Sequence, residues 1–151
     1  GVQTCALPIS EKQNVKIYLP EDLVCSKSID NYNTKIFNSY DLPFEYSGFD
    51  VGYKSINTFK EVIKRSKKII WNGPMGVFEI DAFSKGTFEI CNSVTEATKK
   101  GAFSLVGGGD SVSAVKKNNQ ENNISFISTG GGALLEYISN GTLPSFELLN
   151  N

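Results

Sequence analysis

The chain has no histidine, and that absence removes more chemistry than any other. A Ser-His-Asp triad, a zinc site with imidazole ligands and any acid–base scheme needing a local histidine are all excluded. Cysteine is scarce. Cys5, Cys25 and Cys91 are scattered and odd in number, with neither metal-ligand spacing nor a disulfide framework. No apolar run approaches the roughly 18 residues of a membrane span, and no stretch combines the basic start and apolar core of a secretory signal. Net charge is −1, so neither nucleic acid nor an anionic membrane is expected as a partner. The one basic cluster, Lys64-Arg65-Ser66-Lys67-Lys68, ends a predicted helix, where cations suit the negative end of the dipole. The Asn-x-Ser/Thr sequons at Asn123 and Asn140 read as coincidental, and the chain is expected in the cytoplasm.

What remains is ordinary in bulk. The chain has 151 residues, of which 40% are hydrophobic and 21% charged, enough for one domain with a real core. It begins with glycine, and its only methionine is Met75, so coding sequence upstream is expected. Residues Gly1 to Ser10 (GVQTCALPIS) show no helical or alternating periodicity and resemble translated sequencing-adapter read-through. The expected organisation is a foreign or unstructured stretch over 1–10, one partial domain over 11–142 and a C-terminal tail over 143–151.

Along the chain, Val15 to Leu19 reads as a buried strand ending at Pro20, and Asp22 to Ser26 as a shorter one. Lys35-Ile36-Phe37 suggests an edge strand, and Phe49 to Gly52 a turn before a helix. Ile56, Phe59 and Ile63 recur at helical spacing within Lys54 to Ser66. Lys68 to Trp71 is the next strand and Thr87 to Lys99 the next helix, with Gly101 as its cap. Strand 102–106, helix 110–117, strand 124–127 and helix 131–139 follow. Such alternation implies a parallel α/β sheet covered by helices.

Two glycine-rich turns interrupt that alternation where a ligand would sit. Gly107-Gly108-Gly109-Asp110-Ser111 and Ser128-Thr129-Gly130-Gly131-Gly132-Ala133 each follow an apolar run and precede an amphipathic stretch. In open α/β sheets ligands lie beyond the carboxyl ends of the strands. Helix starts offer unpaired N–H groups there, and glycines admit a phosphate close to the backbone. Either turn alone is equally a tight link, and Asp110 alone is equally an N-cap. Together they favour a phosphate and metal site. A third turn, Trp71-Asn72-Gly73-Pro74-Met75-Gly76-Val77-Phe78-Glu79, would hold a flat base against Pro74 and Val77, with Glu79 accepting from sugar hydroxyls. Core packing is the plain alternative for Trp71 and Phe78. GxGxxG and GxxxxGK[ST] fingerprints are absent.

The runs WNGPMGVFE, FSKGT (Phe83 to Thr87), GGGDS and ISTGGGALLEY, in this order and spacing, resemble phosphoglycerate kinase. FDVG at Phe49 to Gly52 and YLPED at Tyr18 to Asp22 add weaker matches. The resemblance covers about residues 11 to 147 and is similar to the later part of that two-domain kinase's C-terminal domain. It implies a partial Rossmann-like parallel sheet with helices on both faces. It also implies phosphoryl transfer between 1,3-bisphosphoglycerate and ADP, giving 3-phosphoglycerate and ATP with Mg2+ in glycolysis, by a monomeric enzyme. Under it Gly48, Phe49, Pro74 and Val77 would line the adenine pocket, Asn72 would lie near the phosphates and Glu79 would bind ribose. Gly107, Gly108, Gly109 and Ser111 would hold nucleotide phosphates and Asp110 would bind magnesium. Gly109, Gly130, Gly131 and Gly132 would stabilise the phosphoryl group in flight.

Departures are few. Gly52-Tyr53 stands where the family has Gly-Pro, Phe126 where histidine is common, and Ser111 where threonine is frequent. The larger one is that neither the substrate-binding N-terminal domain nor the phosphate-gripping lysines of the earlier C-terminal strands occur here. The chain alone is therefore expected to be inactive. A non-catalytic nucleotide-binding or interaction module is the alternative reading.

Overall fold

The computed structural model describes residues 8–143. Its elements are α1 (residues 8–12), β1 (Asp22–Ser26), β2 (Lys35–Asn38), β3 (Ser47–Val51), α2 (Tyr53–Arg65), β4 (Lys68–Asn72), α3 (Lys85–Lys99), β5 (Phe103–Gly107), α4 (Gly109–Lys117), β6 (Phe126–Ser128) and α5 (Gly131–Asn140). They build two three-stranded sheets, one of order β2-β1-β3 and one of order β4-β5-β6. The first is antiparallel throughout. The second is parallel throughout, each crossover being made by a helix. The fold class is α/β, with the parallel sheet flanked by helices.

Strand alternation decides where the core lies. Ile69 and Trp71 of β4 and Val106 of β5 point to one face, where Ile90, Cys91 and Val94 of α3 and Val112 and Val115 of α4 meet them. Phe59 and Ile63 of α2 pack against this cluster from the side. Phe103, Leu105 and Gly107 point to the opposite face, in register with Lys68, Ile70 and Asn72 of β4. At its carboxyl end α5 approaches closely: a Cβ on Gly107 would lie 2.6 Å from Leu134 Cδ2. Farther back, Ile70, Phe103 and Phe126 are 55%, 51% and 56% exposed.

The helix ends follow local chemistry. Gly101, just beyond α3, adopts φ +96°, and Gly141, beyond α5, φ +73°, the left-handed turn that lets the last carbonyls find donors. Two helix starts are capped from a distance. Asp22 accepts from Lys54 N at 3.1 Å and Ser55 N at 2.8 Å at the start of α2. Asp50 accepts from Gly86 N at 2.7 Å at the start of α3.

Two expectations fail in the first third of the chain. Val15 to Leu19 is extended but pairs with no strand among the described residues, and Val15 and Ile17 are exposed. An apolar run becomes a strand only where a neighbouring backbone accepts its ladder. Tyr18 is instead fixed through its side chain, whose hydroxyl accepts from Arg65 at 2.8 Å. Phe49 to Gly52, read as a turn, holds instead the end of β3, whose Asp50 and Val51 pair with Val24 and Leu23 of β1. The short, polar-flanked segments here gave no alternation long enough to reveal an antiparallel sheet. Of the stretch set apart at 1–10, residues 1–7 lie outside the described residues; Ser10 is buried and its carbonyl accepts from Val15 N at 2.8 Å. Of the 143–151 tail, residues 144–151 lie outside them.

Candidate functional site

The three turns singled out by sequence emerge from one edge of one sheet. Asn72 is the register partner of Gly107, and Gly107 of Ser128. The strands therefore end level, and their turns open side by side. A parallel sheet makes this happen because every strand enters from the same side.

Backbone contact, more than side chains, knits the turns together. Gly108 has φ +89°, and a Cβ on it would lie 2.7 Å from Asn72 Oδ1. A Cβ on Gly131 would lie 2.6 Å from Gly108 Cα and 2.9 Å from Gly108 N. The start of α5 thus rests on the backbone of the preceding turn, an approach closed to any other residue. Gly109 and Gly132 face open space. Gly130 is the N-cap of α5 and Gly108 that of α4, and neither has a side chain to fill the helix end. Among the described residues the starts of α2 and α3 are filled by Asp22 and Asp50, whereas those of α4 and α5 carry no side-chain acceptor. Among α2 to α5 the uncapped starts are the two at this edge. Their free N–H groups and dipoles create positive potential in a chain of nearly zero net charge.

Asp110, in the first turn of α4, is exposed beside that potential. No group of three or more Cys, Asp or Glu side chains suited to a metal occurs among the described residues. A cation here would find one carboxylate. Ser111 is fully buried, and its hydroxyl accepts from Gly73 N at 2.6 Å, leaving its own proton for another acceptor.

The Trp71–Glu79 turn is framed from several directions. Thr87, buried at the start of α3, accepts from Met75 N at 3.1 Å and Gly76 N at 3.2 Å. Val77 N donates to Phe49 O at 2.9 Å, which brings the end of β3, with Gly48 and Phe49, against Val77. Phe83 stacks obliquely on Phe49 at 4.9 Å between ring centres. Trp71 and Phe78 are buried in the core, Trp71 donating its indole N–H to Gly73 O at 2.7 Å. Glu79 is exposed on the far side of the turn.

The structure thus draws the sequence candidates into two groups. Asn72, Gly107, Gly108, Gly109, Asp110, Ser111, Gly130, Gly131 and Gly132 share the glycine edge. Gly48, Phe49 and Val77 gather around the β3 end, and Glu79 stands exposed two residues beyond Val77. Pro74 faces elsewhere, into an apolar groove of about 450 Å³ beside β4 that it shares with Tyr18, Trp71 and Met75. That groove touches no other candidate.

Sequence reasoning passed over three residues that hold this frame. Thr87 lay within a quoted motif but gave no sign of its contacts. Asp50 sits between the Gly76 turn and the start of α3, where a Cβ on Gly76 would fall 2.4 Å from its Oδ1. Burial pushes the Asp50 carboxyl up to about 6, against the N–H groups of Gly86 and Val51. The third, Lys117, donates to the carbonyls of Phe78 and Glu79.

The family model for phosphoglycerate kinase matches residues 4–141. A phosphoglycerate kinase of Finegoldia magna is 45% identical over 142 residues, covering 93% of this chain and 35% of that protein. One of Plasmodium falciparum is 46% identical over 144 residues, covering 94% and 35% respectively. The solved phosphoglycerate kinase of Coxiella burnetii superposes with a TM-score of 0.84 at 35% identity, over 95% of this chain and 36% of that one. The chain spans about a third of the length of the relatives it matches.

Proposed function

The chain belongs to the phosphoglycerate kinase family, and from that premise we propose that it is the nucleotide-gripping part of an enzyme of that activity. The complete protein would move a phosphoryl group from 1,3-bisphosphoglycerate to ADP, giving 3-phosphoglycerate and ATP. One observation carries the reading: two uncapped helix starts, α4 and α5, lie side by side at the carboxyl edge of the parallel sheet.

Phosphoryl transfer asks the protein for position and charge neutralisation more than for covalent chemistry. The N–H groups at the start of α4, from Gly109 to Ser111, would hold the nucleotide phosphates, while the buried Ser111 hydroxyl fixes Gly73 of the neighbouring turn. The backbone of Gly130, Gly131 and Gly132 would face the group in transit, where charge spreads over its equatorial oxygens. Gly48, Phe49 and Val77 would line the adenine, Pro74 standing apart in its own groove, and Glu79 would accept from the ribose. Asn72, its Oδ1 close against Gly108, would steady the phosphate turn.

A lone carboxylate beside a phosphate site suits magnesium, which keeps its waters and is usually held by one or two carboxylates plus substrate phosphates. Asp110 would be that ligand, and the ion when bound would neutralise charge on the phosphate oxygens. The sugar-acid substrate would be held outside this chain. The free, buried Cys25 and Cys91 support a reducing compartment, and we place the protein in the cytoplasm.

The test is calorimetric titration of the full-length protein with ADP and ATP, with and without magnesium. Affinity that depends on magnesium and falls at least tenfold in D110N is expected. Absence of any magnesium-dependent affinity for either nucleotide would end the proposal. Nucleotide binding without turnover in the full-length protein would favour a non-catalytic module instead.

A further inference from the structure

The turn bearing Glu79 is held by a residue that no motif marks. Lys117, the last residue of α4, donates its ammonium group to Phe78 O at 3.0 Å and to Glu79 O at 3.3 Å. These carbonyls flank the Cα of Glu79. The ammonium also lies 5.8 Å from the centre of the Phe88 ring, so α3 backs the contact. At the other end of the same helix, Ser111 accepts from Gly73 N at 2.6 Å. The segment from Gly73 to Glu79 is therefore tied at both ends to α4, a rod about 13 Å long. Thr87 of α3 holds its middle.

We propose that Lys117 is a positioning residue for the sugar of the bound nucleotide. It fixes the backbone on both sides of Glu79 and so sets where that carboxylate stands. Through α4 it keeps the ribose end of the site in register with Asp110 and Ser111 at the phosphate end. The inference rests on the reading that Glu79 takes the ribose. Of the two carbonyls released from Lys117, that of Glu79 is exposed and that of Phe78 part-buried; both lie at the rim of the turn where water can replace one ammonium, so the fold survives its loss while the placement does not.

Lys117→Met keeps the aliphatic stem and removes the donor; Lys117→Arg keeps a donor. In the full-length protein without ligand, hydrogen exchange of the amides of Phe78 to Asp81 is expected to quicken about three- to tenfold in K117M, the worth of one or two hydrogen bonds. The amides of Gly73, Met75 and Gly76, held by Ser111 and Thr87, are expected to stay unchanged. With ligand, the wild type is expected to prefer ADP over 2′-deoxy-ADP in KM, K117M to lose most of that preference with kcat little altered, and K117R to restore it. A wild type indifferent to the 2′-hydroxyl removes the ribose reading, and with it the purpose assigned to Lys117. Unchanged exchange in K117M, or a preference intact in both proteins, removes Lys117 alone.

Discussion

Two buried aspartates do the same structural work and titrate in opposite directions. Asp22 accepts from Ser55 Oγ at 2.7 Å as well as from Lys54 and Ser55 N–H. Burial raises its carboxyl, but these hydrogen bonds outweigh it and the net shift is downward. Its contribution to stability is present above the ordinary carboxylate range and is lost as pH falls through its folded value. Asp50 has two N–H donors against deeper desolvation and is pushed up to about 6. The folded state therefore holds its proton more tightly than the unfolded chain, whose aspartates titrate near 3.9, roughly the model-peptide value. That stabilisation is present below the unfolded value and is lost as pH rises through about 6. Urea midpoints of wild type and D50N, compared from acid to neutral pH, should show the wild type losing ground to the variant as pH climbs through that window; a difference independent of pH would refute the assignment. Thr87 makes a second case. Thr87→Val keeps the volume and strands the N–H groups of Met75 and Gly76, with an expected cost of about 1–3 kcal/mol. Thr87→Ser should recover most of it in the same unfolding experiment.

At the scale of elements, the start of α5 depends on a missing side chain. Gly131→Ala would place a methyl 2.6 Å from Gly108 Cα, and backbone cannot yield as a side chain does. The helix must move away from the phosphate turn, so nucleotide affinity should fall by about tenfold or more. Gly132→Ala meets nothing within 4 Å and should leave folding and α5 in place. Equal losses of binding in the two variants would mean that the close approach between turns does not shape the site.

The whole molecule exposes what α/β sheets usually cover. Among the described residues, Ile70, Phe103 and Phe126 lie exposed on the face opposite α3 and α4, and β4 and β6 are the end strands of the parallel sheet, each paired on one side only. Parallel sheets are normally buried on both faces, and open edges invite pairing. The 151-residue chain should therefore associate with rising concentration in sedimentation velocity, and I70K with F126K should shift it toward monomer. A cooperative, concentration-independent thermal transition of the unaltered chain would contradict this. The same chain should show no turnover above background, since the positive groups that a transferred phosphoryl requires are only partly supplied by two helix starts.

Sequence by itself determined the α/β alternation from Lys54 onward, the positions of the three turns and the family, because helical and strand periods and glycine-rich turns are local signals. Register was decided only by the tertiary structure: nothing in the chain states that Asn72, Gly107 and Ser128 end level, or that β3 hydrogen-bonds to the Val77 turn. The same holds for Asp50, Thr87 and Lys117, whose partners are distant along the chain or belong to the backbone. A hydrogen bond to a remote N–H or carbonyl leaves no mark on composition or spacing. It exists only once packing has brought the two segments together.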